Sequence, residues 1–140
     1  MSIESLVEKI VEDCTEKGAP EFPKCDFSEL ERQSKYFERT FSMPMPDAYK
    51  RVLKISNGLK SNNLNVFPVT SHVFMSEDIY GANEAMAPDN DIVIFAQRND
   101  EIYGFDNYLN KFVATDVYEG LSEEFESSEE FFEYLLKKAI

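Results

Sequence analysis

The sequence predicts an α+β fold, a mainly antiparallel sheet with N-terminal helices and a C-terminal helix packed against it. Three observations predict it. Apolar residues recur at helical spacing at both ends of the chain. Between them, "DIVIFA" (Asp91 to Ala96), "EIYGFD" (Glu101 to Asp106) and "KFVATD" (Lys111 to Asp116) read as strands joined only by "QRND" and "NYLN". Such connections suit antiparallel neighbours and are too short for parallel crossovers. Finally, 140 residues fit a single domain, which at that size buries roughly two-thirds of the surface its unfolded chain exposes.

The first helix carries Ile3, Leu6, Val7, Ile10, Val11 and Cys14 on one stripe, with Glu4, Glu8, Lys9, Glu12 and Asp13 on the other side, and Gly18 and Pro20 stop it. "GAPEFPKCD" is a loop, because two prolines and a glycine forbid either regular ladder. A second helix starts near Asp26 or Ser28, capped with Glu29 or Glu31 three residues on, and buries Phe27, Leu30, Ser34, Phe37 and Phe41. Pro44 and Pro46 end it, and Pro46 with Asp47 opens a third helix, since a first-turn proline lacks only a donor that the helix does not use. That helix turns Tyr49, Val52, Leu53 and Ser56 inward and Lys50, Arg51 and Lys54 outward; Asn57 and Gly58 close it, Gly58 by taking the left-handed conformation.

After the polar turn "KSNN" the period changes: Leu64, Val66 and Pro68 alternate with Asn65, Phe67 and Val69, a strand with one side buried. Ser71 to Asp91 is irregular, with a short strand at His72 to Phe74 and a helical turn over Asn83 to Met86. The apolar run Ile92 to Phe95 suggests a central strand covered on both sides. The last helix is capped by Ser127 with Glu130 and buries Phe131, Phe132, Leu135, Leu136 and Ile140.

Composition narrows the function. With 43% hydrophobic and 14% aromatic residues the chain is no disordered tail. Its 27 acids against 14 bases give a formal charge of -13, which repels phosphate backbones and anionic lipids and attracts basic proteins. Neither nucleic acid nor a membrane is an expected partner. The acids equally serve solubility, and their distribution has to decide between the two readings. "SIESLVEKIVEDC" interrupts every apolar run with charge, so no secretory leader or membrane span is read there and a cytoplasmic location is expected. Cys14 and Cys25 are read as reduced thiols, one buried on a helix and one near a loop, in preference to a disulfide.

Catalytic chemistry finds little support. His72, the single histidine, sits beside Val73 and Phe74 with no nucleophile placed by any motif, and reads as structural. "APDNDI" spaces Asp89 and Asp91 like hard-cation ligands but lacks the glycine turn and terminal glutamate of a calcium loop, which favours an ordinary turn. No phosphate loop or dinucleotide fingerprint occurs. The expectation is a protein that is not an enzyme and holds neither metal nor cofactor.

"MPMPDAYKRVLKISNGL" resembles the signature of the SUKH superfamily, the Smi/Knr-type domains, in which a Leu-Pro pair precedes a tyrosine-containing helix ending in Asn-Gly. "IVIFAQRNDEIYGFD" resembles the family's paired strands and "SSEEFFEYLLKKAI" its closing helix, so the likeness runs from about Ser28 onward. Met45 stands where leucine is usual, and Leu59 where a second glycine is frequent. The resemblance implies a single domain over residues 1–140 and a bacterial immunity protein that binds and neutralises a cognate toxin, often a nuclease, in the cytoplasm. The alternative it implies is a regulatory interaction scaffold without a toxin partner. Within the motif, Pro46, Tyr49, Asn57, Gly58 and Asp106 are read as mainly structural, with Asp106 bonding amides in the turn beside Asn107.

Partner contact is assigned to exposed acids: Glu77 and Asp78 in the irregular segment, Asp89 and Asp91 before the central strand, and Glu119, Glu123 and Glu124 before the last helix. Tyr80, Tyr108 and Tyr118 lie near these loops, either as aromatic anchors or as core.

Overall fold

The computed structural model describes residues 1–140. Its elements run α1 (Ile3–Glu16), α2 (Phe27–Phe41), α3 (Asp47–Leu53), β1 (Leu59–Ser61), β2 (Leu64–Val66), α4 (Ile79–Met86), β3 (Ile92–Arg98), β4 (Glu101–Asp106), β5 (Lys111–Asp116), β6 (Gly120–Phe125) and α5 (Ser128–Lys137). The six strands form one sheet in sequence order, and every neighbouring pair is antiparallel. The α+β architecture with helices at both ends is therefore as expected.

Local chemistry sets the element ends. Ser2, Asp26, Asp78 and Ser127 each cap a helix by accepting a backbone N–H bond three residues on. Asn62, Asn63, Asn90, Asn99 and Asn110 all lie at positive φ, each in a tight turn. Asparagine tolerates the left-handed region better than any other non-glycine residue except its close relatives.

One continuous cluster of 34 buried residues makes one core. Its centre is Phe95, whose ring lies 5.2 Å from Tyr49, 5.8 Å from Phe132, 5.9 Å from Phe37 and 6.0 Å from Phe131. Phe95 reaches that position through a bulge: Ile94 pairs with Gly104 and Ala96 with Tyr103, leaving Phe95 between them without a partner residue. In the facing strand only glycine fits at 104, because a Cβ there would lie 2.5 Å from the Val93 carbonyl oxygen.

β2 ends at Val66, so the central strand β3 loses its neighbour beyond that point. Phe67 N–H still bonds the Phe95 carbonyl at 3.0 Å. Past it, the buried carboxamide of Asn83 takes over the ladder, accepting from Ile94 N–H at 2.7 Å and donating to the Ile94 carbonyl at 2.8 Å. A side chain of α4 thus acts as one residue of a missing strand.

Several expectations are corrected. Phe27 is 77% exposed and Ile140 48%, so neither belongs to the core, where Ala139 takes the C-terminal place. α3 stops at Leu53, and Asn57 and Gly58 (φ 92°) form the corner into β1 instead of closing the helix. β1 was concealed in the polar turn. β2 does not alternate onward, since Phe67, Pro68 and Val69 are all buried. His72 makes only an isolated bridge to Met75, and the helical turn at Asn83 is the end of the longer α4. Glu123 and Glu124 do not sit on a loop but on β6, while Glu119 lies in the turn before it. The buried thiol is Cys25 in the loop, while helical Cys14 is half-exposed, and both are free.

Arg51 was expected to face solvent. It instead bridges three helices, donating from Nε at 2.7 Å and from Nη2 at 2.6 Å to the Glu4 carboxylate of α1, and from Nη1 at 3.3 Å to Glu129 of α5. The Arg51 hydrogen bonds hold the Glu4 carboxyl at about 2, against 4.5 for an ordinary glutamate.

Asn83→Ala removes the partners of both Ile94 backbone groups, and a loss of about 2–4 kcal/mol in urea unfolding is expected. Glu4 has a folded pKa below its unfolded one, so its contribution is present above pH 4.5 and is lost as pH falls toward 2. Glu4→Gln is expected to flatten stability across that window by less than about 1 kcal/mol, the pair being solvent-screened; urea midpoints at successive pH values measure it.

Candidate functional site

The resemblance motif lies at the interior. Pro46, Tyr49, Asn57 and Gly58 are all buried. Tyr49 donates its hydroxyl to the Phe67 carbonyl at 2.6 Å, and burial raises its pKa well above the usual tyrosine value. Asn57 accepts from Val69 N–H at 3.0 Å and donates to Thr70 Oγ1 at 2.9 Å, while its own N–H bonds the Pro23 carbonyl at 2.7 Å. One residue thereby fastens the loop before α2, through its backbone, and the loop after β2, through its side chain, to the α3 corner. These residues are framework.

His72 belongs to the same network. Its Nδ1 accepts from Phe74 N–H at 3.3 Å, so Nε2 carries the proton toward the Asn57 carbonyl at 2.8 Å. With both ring nitrogens occupied, His72 is committed to structure. An apolar cavity of about 290 Å³ opens between Val11, Cys14, Pro20, Phe22, Leu59 and Phe74, and no nucleophile and base are paired in it. No three His, Cys, Asp or Glu residues are grouped to hold a metal ion.

The sequence-assigned contact residues fall in three separate places. Asp89, Asp91, Tyr108 and Glu124 gather at one end of the sheet, where Asn107 ties the two turns by bonding the Asn90 and Asp91 carbonyls at 2.7 and 3.0 Å. Asp106 accepts from Tyr108 N–H at 2.8 Å and Leu109 N–H at 2.9 Å, the turn role expected of it. Lys111 reaches Glu124 and Glu126 from the same end, at 3.4 and 3.3 Å.

Tyr118 and Glu119 occupy the opposite end. Asp116 builds their turn as Asp106 builds the other, accepting from both amides at 2.9 and 3.1 Å. Since β5 separates the two turns, Tyr108 and Tyr118 stand about 20 Å apart. Both are surface residues, 94% and 82% exposed. Glu123 lies between the ends on β6, exposed.

The third place is beside α2. Glu77 is exposed there, but Asp78 caps α4 through Gly81 N–H at 2.9 Å. Tyr80 stacks on Phe41 at 5.7 Å and donates to Gln33 Oε1 at 3.0 Å, so it is half-buried packing and not an anchor.

What unites the surface is charge segregation, which reading individual acids missed. From Glu77 to Glu133 the chain has 16 acids and two bases, Arg98 and Lys111, whereas residues 1–76 carry 11 acids and 10 bases. The acidic segment is α4, β3 to β6 and the start of α5. A windowed charge count along the sequence reveals this signal. Asp78, Asp106 and Asp116 have backbone duties, but most of the remaining acids face solvent.

No family model matches the chain, and neither curated proteins nor solved structures give a significant match. No helix is long and apolar enough to cross a membrane.

Framework and surface are separable by mutation. Tyr49→Phe removes a buried hydrogen bond and is expected to cost about 1 kcal/mol or more. Tyr108→Ala and Tyr118→Ala are expected to leave stability within about 0.5 kcal/mol, all read from denaturant midpoints.

Proposed function

We propose that the protein is a non-catalytic immunity protein that binds and neutralises a basic toxin domain, a nuclease by chemistry, in the cytoplasm. The observation that carries this reading is the concentration of the acidic excess, 16 acids against two bases, in the segment Glu77 to Glu133 that holds α4, β3 to β6 and the start of α5. Residues 1–76 balance their 11 acids with 10 bases, whereas this segment leaves its acids almost without basic neighbours. A nuclease needs cationic surface to hold its phosphate substrate, so an acidic sheet complements that surface and excludes nucleic acid from it. The resemblance to SUKH domains supplies the toxin; the framework role of Tyr49 and Asn57 leaves the outer surface free to vary from partner to partner.

The test is capture with the tagged protein from lysate of the source organism, the neighbouring reading frame being co-expressed. A basic protein whose activity falls on one-to-one binding is expected, with an association rate that drops about tenfold or more from low to high salt. Capture of several host proteins without inhibition would replace this reading with a regulatory scaffold. A salt-independent rate would remove its electrostatic basis.

A further inference from the structure

The two edges of the sheet are unlike. β1 is covered by α1, whose Cys14 Sγ bonds the Lys60 carbonyl at 3.6 Å. β6 has no neighbour on its outer side, and Gly120 to Glu124 are all exposed. An antiparallel edge strand turns the N–H and C=O of alternate residues away from its one partner, so β6 presents an unfilled ladder.

Guards stand on that edge. Ser122 is a bulged residue, since Ala114 pairs with Glu123 and Thr115 with Leu121. Glu119, Glu123, Glu124 and Glu126 repel a second copy of so acidic a chain. The same charges attract a basic strand.

Next to the edge lies a groove of about 480 Å³ between β6 and α5, walled by Phe125 and Tyr134 with Glu130, Glu133, Lys137 and Lys138 at its rim. Lys138 already places its ammonium 4.7 Å from the Tyr134 ring centre, which shows the wall accepting a cation. On the opposite face, Ile102 pairs with Thr115 and Thr115 with Leu121, forming a row without a helix over it; Leu121 is 50% exposed.

We infer that β6 is a docking edge for an extended basic segment of the partner protein, which adds a seventh strand to the sheet. Alternate side chains of such a strand point to opposite faces. Lysine or arginine stems on one side lie along Phe125 and Tyr134 and bring their charges to Glu130 and Glu133. β-Branched residues on the other side extend the row of Thr115 and Leu121. Main-chain bonds supply affinity, and the edge acids Glu123 and Glu124 together with Glu130 and Glu133 supply selection for basic residues. This inference rests on the reading of the partner as a basic protein.

The experiment titrates the whole isotope-labelled protein with a short N-acetylated, C-amidated peptide in which lysine alternates with valine and threonine. Amide shifts and slowed exchange confined to Gly120–Phe125, with shifts of the Phe125 and Tyr134 rings, are expected. The double variant Glu130→Lys, Glu133→Lys, which changes one exposed and one half-exposed charge, is expected to weaken binding at least tenfold with the circular dichroism spectrum unchanged. Shifts spread over the 89–91 and 106–110 turns without protection of β6 overturn the proposal, as does unchanged affinity of the double variant. A captured basic partner that binds this variant as tightly as wild type overturns the docking edge alone and leaves the proposed function standing.

Discussion

The Asn57 carboxamide and backbone join three segments at one corner: the loop before α2 through Pro23, the loop after β2 through Val69 and Thr70, and the hairpin of His72. Phe67, Pro68 and Val69 are buried, so the polar backbone groups of that stretch must find partners inside. Asn57 supplies a donor and an acceptor from one planar group, and Gly58, at φ 92° and closely packed against the Val66 carbonyl, lets the chain turn into β1 at once. Without that corner α3 and the sheet lose their registration, and the aromatic stack around Phe95 loses the Tyr49 ring.

Asn83 solves the same problem from the other side of the core. Both carboxamides satisfy backbone where a regular strand has run out, and both are nearly dry. An aspartate at either place would lose the donor and bring an unpaired charge into a low-dielectric interior, a heavier cost than the missing bond. The core therefore depends on two neutral polar side chains as much as on its phenylalanines.

Acidic residues divide by task. Asp78 stabilises a helix start, and Asp106 and Asp116 stabilise turns and hold β5 between two matching Asp-x-Tyr turns. The others between Glu77 and Glu133 form a field of one sign along α4, β3 to β6 and the start of α5. Such a field acts at a distance on encounter, while the open β6 ladder and its groove act only at contact. Steering and selection can then be set by different residues, with the framework unchanged.

The sequence by itself determined α1, α2, α5 and the bounds of β4 and β5, because periodicity, caps and turn residues are local and act within a few positions. It also showed the roles of Asp106 and Ser127. Tertiary structure alone decided the rest. "LKS" is too short to display a period, and in "GLSEEF" only Phe125 is buried, so β1 and β6 are strands because β2 and β5 offer them ladders. Phe27 and Ile140 fit a helical stripe but lie where no facing element covers it. Arg51 finds Glu4 and Glu129, 47 and 78 residues away, only after α1 and α5 pack beside α3. The candidate surface was legible as acidic, yet its division between the two sheet ends and the edge strand followed from the meander, which sends successive turns to opposite ends.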